Sequence, residues 1–402
     1  MGVWKIEYCH DKINSLWDAF VNEVNGELLQ TSAWSSYEHK YFAWNAVRFY
    51  IKNEESIVAG CQITIISDEL LGNIGLIRSG PCFKNKTPEL ISLVVSEMKK
   101  SIQIFKLSYL MVSPDYGEYD LIPFLEHENF KSKFLNIPPH RIQTTYDCTL
   151  MLDLSLSNDD ILKQMSSMRQ RGIKKGLQSP FKVKFGERKD LKVFFDLYNF
   201  TATKHKYVDP VTNKSVDCYP TMESYDEVCS MWDELSSNGW IKLFLGTVND
   251  EIICGALVFT FGKTFRYKRW GWNMKYPEYH ISEAIQWEMI QWAKNNNFLY
   301  YDFCQIDRRI ADAYLSKEPV NETLKKHFIY GPTIYKLNFG GNMIKYPCSF
   351  VCYSDKMKHL IETSSDELTH LFKLSKDYYW AKKNFFRDHQ DFFIFTQMKN
   401  IK

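Results

Sequence analysis

Two stretches of this chain repeat one order of landmarks, and no other feature narrows its fold as much. Around Gly60 the pattern predicts strands Ala46–Ile51, Ile57–Ile66 and Asn73–Arg78, then Pro81, a helix over Pro88–Ile104 and a strand at Ser108–Val112. Around Gly255 the order recurs as strands Ile241–Val248, Ile252–Phe261 and Thr264–Gly271, then Pro277, a helix over Ser282–Asn295 and a strand at Leu299–Phe303. Gly60 precedes Pro81 by 21 residues and Gly255 precedes Pro277 by 22. Meander strands, a helix and a returning strand make a mixed sheet with helices on its faces. The expectation is an α/β chain of two similar domains, 1–152 and 153–350, followed by a C-terminal helical extension over 351–402.

Composition fits that division. A chain of 402 residues is too long for one ordinary core. Aromatic residues make up 16% of it, enough for large rigid cores with rings left for a ligand groove. The formal net charge of +2 excludes a polyelectrolyte that coats nucleic acid, while leaving room for a local basic patch. The apolar runs Ile252–Phe261 and Leu90–Val95 are far shorter than the roughly 20 residues of a membrane span. Lys5, Glu7 and His10 stand where a signal peptide would have its apolar core. The ten cysteines are dispersed, without a CxxC pair or zinc spacing, so they read as reduced buried thiols in a cytoplasmic protein. No metal and no cofactor are expected.

Between the repeats, Ser157–Ser179 reads as one helix with a capping-box-like start at Ser157 and Asp160. Its second half carries Arg169, Arg171, Lys174 and Lys175, a candidate surface for the phosphates of a nucleotide or RNA. Residues 205–225 and 305–331 read as long loops, and Thr333–Phe339 as a strand. Rings recur at helical spacing through Ser365–Arg387.

The repeated unit resembles the core of the GNAT acyltransferase fold, in which a strand–helix junction holds an activated acyl donor. Members that use acyl-CoA place small residues at that junction, so that backbone amides approach the pyrophosphate. Here the second junction reads Lys268-Arg269-Trp270-Gly271-Trp272-Asn273, with bulky side chains in the small positions. The first reads Arg78-Ser79-Gly80-Pro81, where proline removes an amide donor. Neither is built to cradle coenzyme A, and no nucleophile elbow, HExxH or Walker loop stands elsewhere.

A set of motifs in order carries a second resemblance. These are Leu29-Gln30-Thr31-Ser32-Ala33-Trp34, Ile57 through Gln62, Ser79-Gly80-Pro81, Met168 through Lys175, Gly255-Ala256-Leu257, Trp287 through Ala293, Tyr301-Asp302-Phe303, and Tyr335 through Gly341. Together they resemble the Fem family, whose members transfer amino acids from aminoacyl-tRNA to build peptidoglycan interpeptide bridges. The resemblance implies two tandem GNAT-like domains and peptide-bond formation. An amine of a peptide or nucleotide-linked muropeptide attacks the ester carbonyl of an aminoacyl-tRNA, and the protein orients both and stabilises the oxyanion. It assigns the catalytic role to Lys336, in the family's aromatic-Lys-x-x-Phe-Gly motif. It assigns substrate contacts to Tyr267, Thr201 and Lys204, with Trp34, Lys40 and Tyr335 as further substrate-binding candidates; a tRNA donor would be held by the basic run Arg169, Arg171, Lys174 and Lys175, which the charge pattern already marks. Trp270, Trp272 and Tyr276 fall near the same groove. The chain departs from the family at Ser113-Pro114, where an Asp is usual. It also lacks the helical arm inserted in some members.

Two other readings remain open on the sequence: an acyl-CoA-dependent N-acyltransferase acting on a sugar or polysaccharide precursor, and a duplicated domain that only binds a nucleotide-linked or peptide ligand.

Overall fold

The computed structural model describes residues 4–68, 71–132, 148–204, 206–208, 215–217, 224–326 and 329–363. They form two compact units, one from the described parts of Met1–Thr145 and Tyr346–Lys402, the other from Tyr146–Lys345.

The first unit opens with β1 (Trp4–Cys9), α1 (Ser15–Glu23), α2 (Ser32–Phe42), β2 (Asn45–Asn53), β3 (Ser56–Asp68), β4 (Gly72–Arg78) and the short β5 (Cys82–Phe83). It continues with α3 (Pro88–Ile104), β6 (Leu107–Ser113) and α4 (Ile122–His127). Helix α3 shows why the sequence folds this way: Thr87 caps it, Pro88 fills its first position, and Leu90, Ile91, Val94, Val95, Met98 and Ile102 form its buried stripe.

The second unit runs through β7 (Cys148–Asp153), α5 (Asn158–Gln164), α6 (Ser167–Leu177), β8 (Lys182–Gly186), α7 (Leu191–Lys204) and the hairpin strands β9 (Lys206–Val208) and β10 (Ser215–Asp217). Then come α8 (Tyr225–Leu235), β11 (Ile241–Val248), β12 (Glu251–Phe261), β13 (Thr264–Trp272), α9 (Ile281–Asn295) and β14 (Tyr300–Gln305). The unit ends with α10 (Arg308–Leu315), α11 (Glu322–Lys325), α12 (Tyr330–Leu337) and β15 (Asn342–Lys345). The chain then returns to the first unit as β16 (Phe350–Tyr353) and α13 (Asp355–Thr363).

Each unit is built on a seven-stranded mixed sheet: β1-β2-β3-β4-β6-β16 with β5 on β3, and β15-β7-β14-β13-β12-β11-β8. The duplicated order is present in both. A hairpin (β2–β3, β11–β12), an antiparallel neighbour (β4, β13), a helix (α3, α9) and a parallel return (β6, β14) recur in sequence.

Several expectations are corrected. The helix expected over 157–179 is two helices, because Ser166 accepts the Arg169 N–H as a new N-cap while its own N–H donates to the Asn338 carbonyl at 2.9 Å. The strand expected at Thr333–Phe339 is α12, whose Thr333 and Leu337 are buried one helical turn apart. The expected 305–331 loop contains α10, capped by Asp307, and α11. The expected boundaries at 152 and 350 cut β7 and β16, strands that belong to the second and first sheets respectively. Within 205–225 only β9, β10 and the start of α8 are described, and the helical run expected at 365–387 lies outside the described residues. The nine cysteines among the described residues are free, eight of them buried and Cys348 exposed. No described helix is long and apolar enough to cross a membrane.

Candidate active site

The two repeats differ where the parallel strands leave the helix junction. In the first unit β4 and β6 stay paired from Asn73 to Arg78, and the Ser79 N–H still reaches the Ser113 carbonyl at 2.8 Å. Gln30 seals this end: its amide donates to the Arg78 carbonyl at 2.7 Å and accepts the Gln62 N–H at 2.8 Å. Gly80 lies so close that a Cβ there would come within 2.7 Å of the Gln30 side chain. In the second unit β13 and β14 pair only over Thr264–Arg266 and Tyr300–Asp302, although β13 runs on to Trp272 and β14 to Gln305. The strands part beyond Arg266 and Asp302, leaving an opening in the sheet.

A β-bulge decides which side chains surround it. Val258 opposes Tyr267 and Leu257 opposes Arg269, so Lys268 is an extra residue in β13. Arg266 and Arg269 therefore lie on the face of Phe259 and Leu257, and the Lys268 ammonium stands 5.7 Å from the Phe259 ring. The bulge gathers three cations on one face of a single strand. A regular alternation would have split them.

Asp302 is the buried anion of this group, with no exposed surface. It accepts from the Arg266 Nε at 3.0 Å, from the Cys304 N–H at 2.7 Å, and from the Thr149 hydroxyl. These bonds turn β14 sharply, and Cys304 takes a left-handed φ of 60°. The Gln305 carbonyl is left facing α12, where the Lys336 ammonium donates to it at 2.8 Å. Burial pulls the Lys336 pKa below that of a free lysine, Cys304 and Asp302 oppose the shift, and Arg269 adds to it. The Cys304 thiol is pushed up to about 12, by burial first and then by Asp302, so it stands as a neutral thiol.

Helix α12 is fixed on both sides. The Thr333 hydroxyl accepts the Asp307 N–H at 3.1 Å, and the Tyr335 hydroxyl donates to the Ser282 carbonyl at 3.1 Å in the first turn of α9. The Arg169 guanidinium lies 4.1 Å from the Tyr335 ring and 5.3 Å from that of Phe339, and pairs with Glu283 of α9. On the other sheet face, burial raises the pKa values of Tyr267 and Tyr301. The Tyr301 hydroxyl donates to Gln286 at 2.5 Å. The junction from β13 to α9 is held in uncommon backbone, with positive φ at Met274, Tyr276 and His280.

The structure brings together Lys336, Tyr335, Tyr267 and Arg169 in the second unit. Trp34 and Lys40 belong to α2 of the first unit; Trp34 is buried with its ring 5.1 Å from Tyr37, and Lys40 is exposed in the last turn. Trp34 is core, and the motif around it is structural: Thr31 caps α2 and Ser32 bonds to Asp18. Thr201 is occupied in fastening α7 to β13, accepting the Trp272 N–H at 2.7 Å, with its hydroxyl 3.0 Å from the Leu197 and Trp272 carbonyls. Lys204 ends α7, and its side chain lies outside the described residues. Of the four expected phosphate contacts, Arg171, Lys174 and Lys175 are exposed while Arg169 is buried in its ion pair. Asp302, Arg266, Glu283 and Gln305 were missed as site residues. For Arg266 the available signal was the run of cations in β13; Asp302, Glu283 and Gln305 lie in other elements and carried no such signal.

The FemAB family model matches residues 14–223, a little over half of the chain, and the model of an acetyltransferase (GNAT) domain matches residues 166–314. The UDP-N-acetylmuramoylpentapeptide-lysine N(6)-alanyltransferase of Weissella viridescens is 19% identical over 294 residues, which span 71% of this chain and 82% of that protein. Aminoacyltransferase FemA of Staphylococcus epidermidis is 24% identical over 177 residues, 39% of this chain and 41% of that one. The crystal structure of FemX superposes with a TM-score of 0.72 at 16% identity, covering 89% of this chain and all of that one. At these identities the superposition speaks for the fold.

Proposed function

Because the chain belongs to the FemAB family, we propose that it is an aminoacyltransferase that moves an amino acid from aminoacyl-tRNA to the amine of a peptide or peptidoglycan-precursor acceptor. The observation that carries this reading is the opening between β13 and β14 of the second unit, with the Lys336 ammonium held beside it by Gln305. The matching place in the first unit is closed by continued pairing and by Gln30.

The chemistry asks little of the protein beyond placement and charge. The acceptor amine attacks the ester carbonyl carbon, the C–N bond forms as the C–O bond to the ribose breaks, and one amine proton passes to the departing ribose oxygen, which leaves as a hydroxyl. Negative charge gathers on the carbonyl oxygen in between. A fixed ammonium in a partly dehydrated opening stabilises that charge far better than one in bulk water. Lys336 is the group for this role, with Arg269 and Lys268 adding to the local positive potential, while the charge of Arg266 is offset by Asp302. Tyr335 keeps α12 in register through its bond to Ser282. The nucleotide-linked muropeptide in the name of the W. viridescens relative is the first acceptor to try.

Donor competition tests the reading. Radiolabelled aminoacyl-tRNA and acetyl-CoA are each supplied with the acceptor. The reading expects transfer from the tRNA that is abolished by prior RNase treatment. Transfer from acetyl-CoA with none from tRNA contradicts it.

A further inference from the structure

We propose that α6 is a cationic rail that carries the single-stranded 3′ end of the donor RNA out of the opening, its phosphates neutralised by Arg171, Lys174 and Lys175. The proposal rests on the aminoacyl-tRNA reading above and adds where the RNA lies.

Two glycines set the helix. A Cβ on Gly172 would come within 2.9 Å of Glu283 Cγ, and one on Gly176 within 2.7 Å of Ala284 Cβ, so α6 sits directly on α9. At about 100° per residue, this close seating turns Arg171, Lys174 and Lys175 to the side away from α9. All three are exposed, and none has an ion-pair partner among the described residues. A helix face that is merely solvated mixes charges and forms pairs at i,i+4. Helix α6 has four cations and no carboxylate.

The buried face of the same helix is seated against the site. At the first turn, Arg169 lies over Tyr335, the neighbour of Lys336. Lys175 is six residues on, about 9 Å along the axis. Near the far end, a Cβ on Gly176 would lie 3.1 Å from the Tyr279 carbonyl, which brings the helix against the 277–279 turn. There the Tyr276 and Tyr279 rings are parallel within 3°, their centroids 5.5 Å apart, and both are partly exposed. Glu278 is the one acid of that turn. Unpaired cations on a helix seated against partly exposed aromatic rings suit a single strand, whose phosphates pair with the charges and whose bases stack on the rings.

The test measures affinity of the full chain for uncharged tRNA over a salt series, by anisotropy of a labelled tRNA. The triple variant Arg171→Glu, Lys174→Glu, Lys175→Glu is expected to bind at least tenfold more weakly at low salt. Its dependence of log affinity on log salt should be shallower by about 2, from three lost phosphate contacts on a single strand. Unchanged affinity and slope overturn the proposal, as does a loss confined to anionic vesicles. If the triple variant unfolds at lower temperature than the parent, the glutamine set R171Q, K174Q, K175Q replaces it, with the same slope change expected. Salt-dependent tRNA binding without any amino-acid transfer contradicts the proposed reaction and leaves the rail standing. Transfer that is indifferent to the reversed face overturns the rail alone.

Discussion

The Lys336 ammonium donates to the carbonyl oxygen of Gln305 at 2.8 Å, and that carbonyl is presented because Asp302 has turned the strand end through the left-handed Cys304. The cation of the site is thus held by backbone, and the backbone is held by a buried carboxylate.

Replacing Lys336 by Met removes the charge while keeping most of the side-chain volume. The expected result is a fall in kcat of about 100- to 1000-fold, the usual loss for one oxyanion donor, with KM for the donor little changed. Steady-state transfer kinetics check this.

The pH dependence follows from the direction of the Lys336 shift. Its pKa is lowered by burial, and the ammonium is the active form, so activity is present below that pKa and lost as pH rises through it. The alkaline limb of kcat should fall below the 10.5 of an unperturbed lysine. In Lys336→Arg the limb should move out of range, because a guanidinium keeps its charge. A pH–rate profile of both proteins reads the difference.

Asp302→Ala should destabilise the protein by roughly 3–5 kcal/mol, the usual loss when one member of a buried ion pair is removed and its partner is left without compensation. Arg266, with 13% of its side chain exposed, loses its carboxylate, and the Cys304 N–H loses its acceptor. Urea unfolding measures it.

Thr201→Val should cost about 1–3 kcal/mol by leaving the Trp272 N–H without its acceptor, whereas Thr201→Ser should keep most of the stability. Thermal unfolding of the pair separates this fastening role from an acceptor contact. A contact to the acceptor would change KM in Val without lowering the melting temperature.

Gly271→Ala should destabilise too, by about 1–3 kcal/mol or more, because the added Cβ would lie 2.4 Å from the Tyr198 amide nitrogen and α7 has to shift. The fall in melting temperature measures it.

The duplicated sheets were legible in the sequence because their signals are local: a glycine after a hairpin, an alternating strand, a proline before a helix. The Tyr335–Lys336 pair was singled out only through its resemblance to a family motif, and its secondary structure was misjudged, since a short run rich in apolar residues fits either period. The split of Arg169 from Arg171, Lys174 and Lys175 was not legible, because it depends on Gly172 and Gly176 seating α6 on a helix more than 100 residues away in sequence. The closure by Gln30 and the turn made by Asp302 were hidden for the same reason: each joins strands distant along the chain.

The most direct measurement is single-turnover transfer of a labelled amino acid from aminoacyl-tRNA to a nucleotide-linked muropeptide, by the parent chain and by Lys336→Met. The account predicts a new amide-linked product from the parent, sensitive to RNase treatment of the donor, and a rate at least 100-fold lower in the folded variant. An equal rate in the two proteins, or product formed from acetyl-CoA and none from aminoacyl-tRNA, would contradict it.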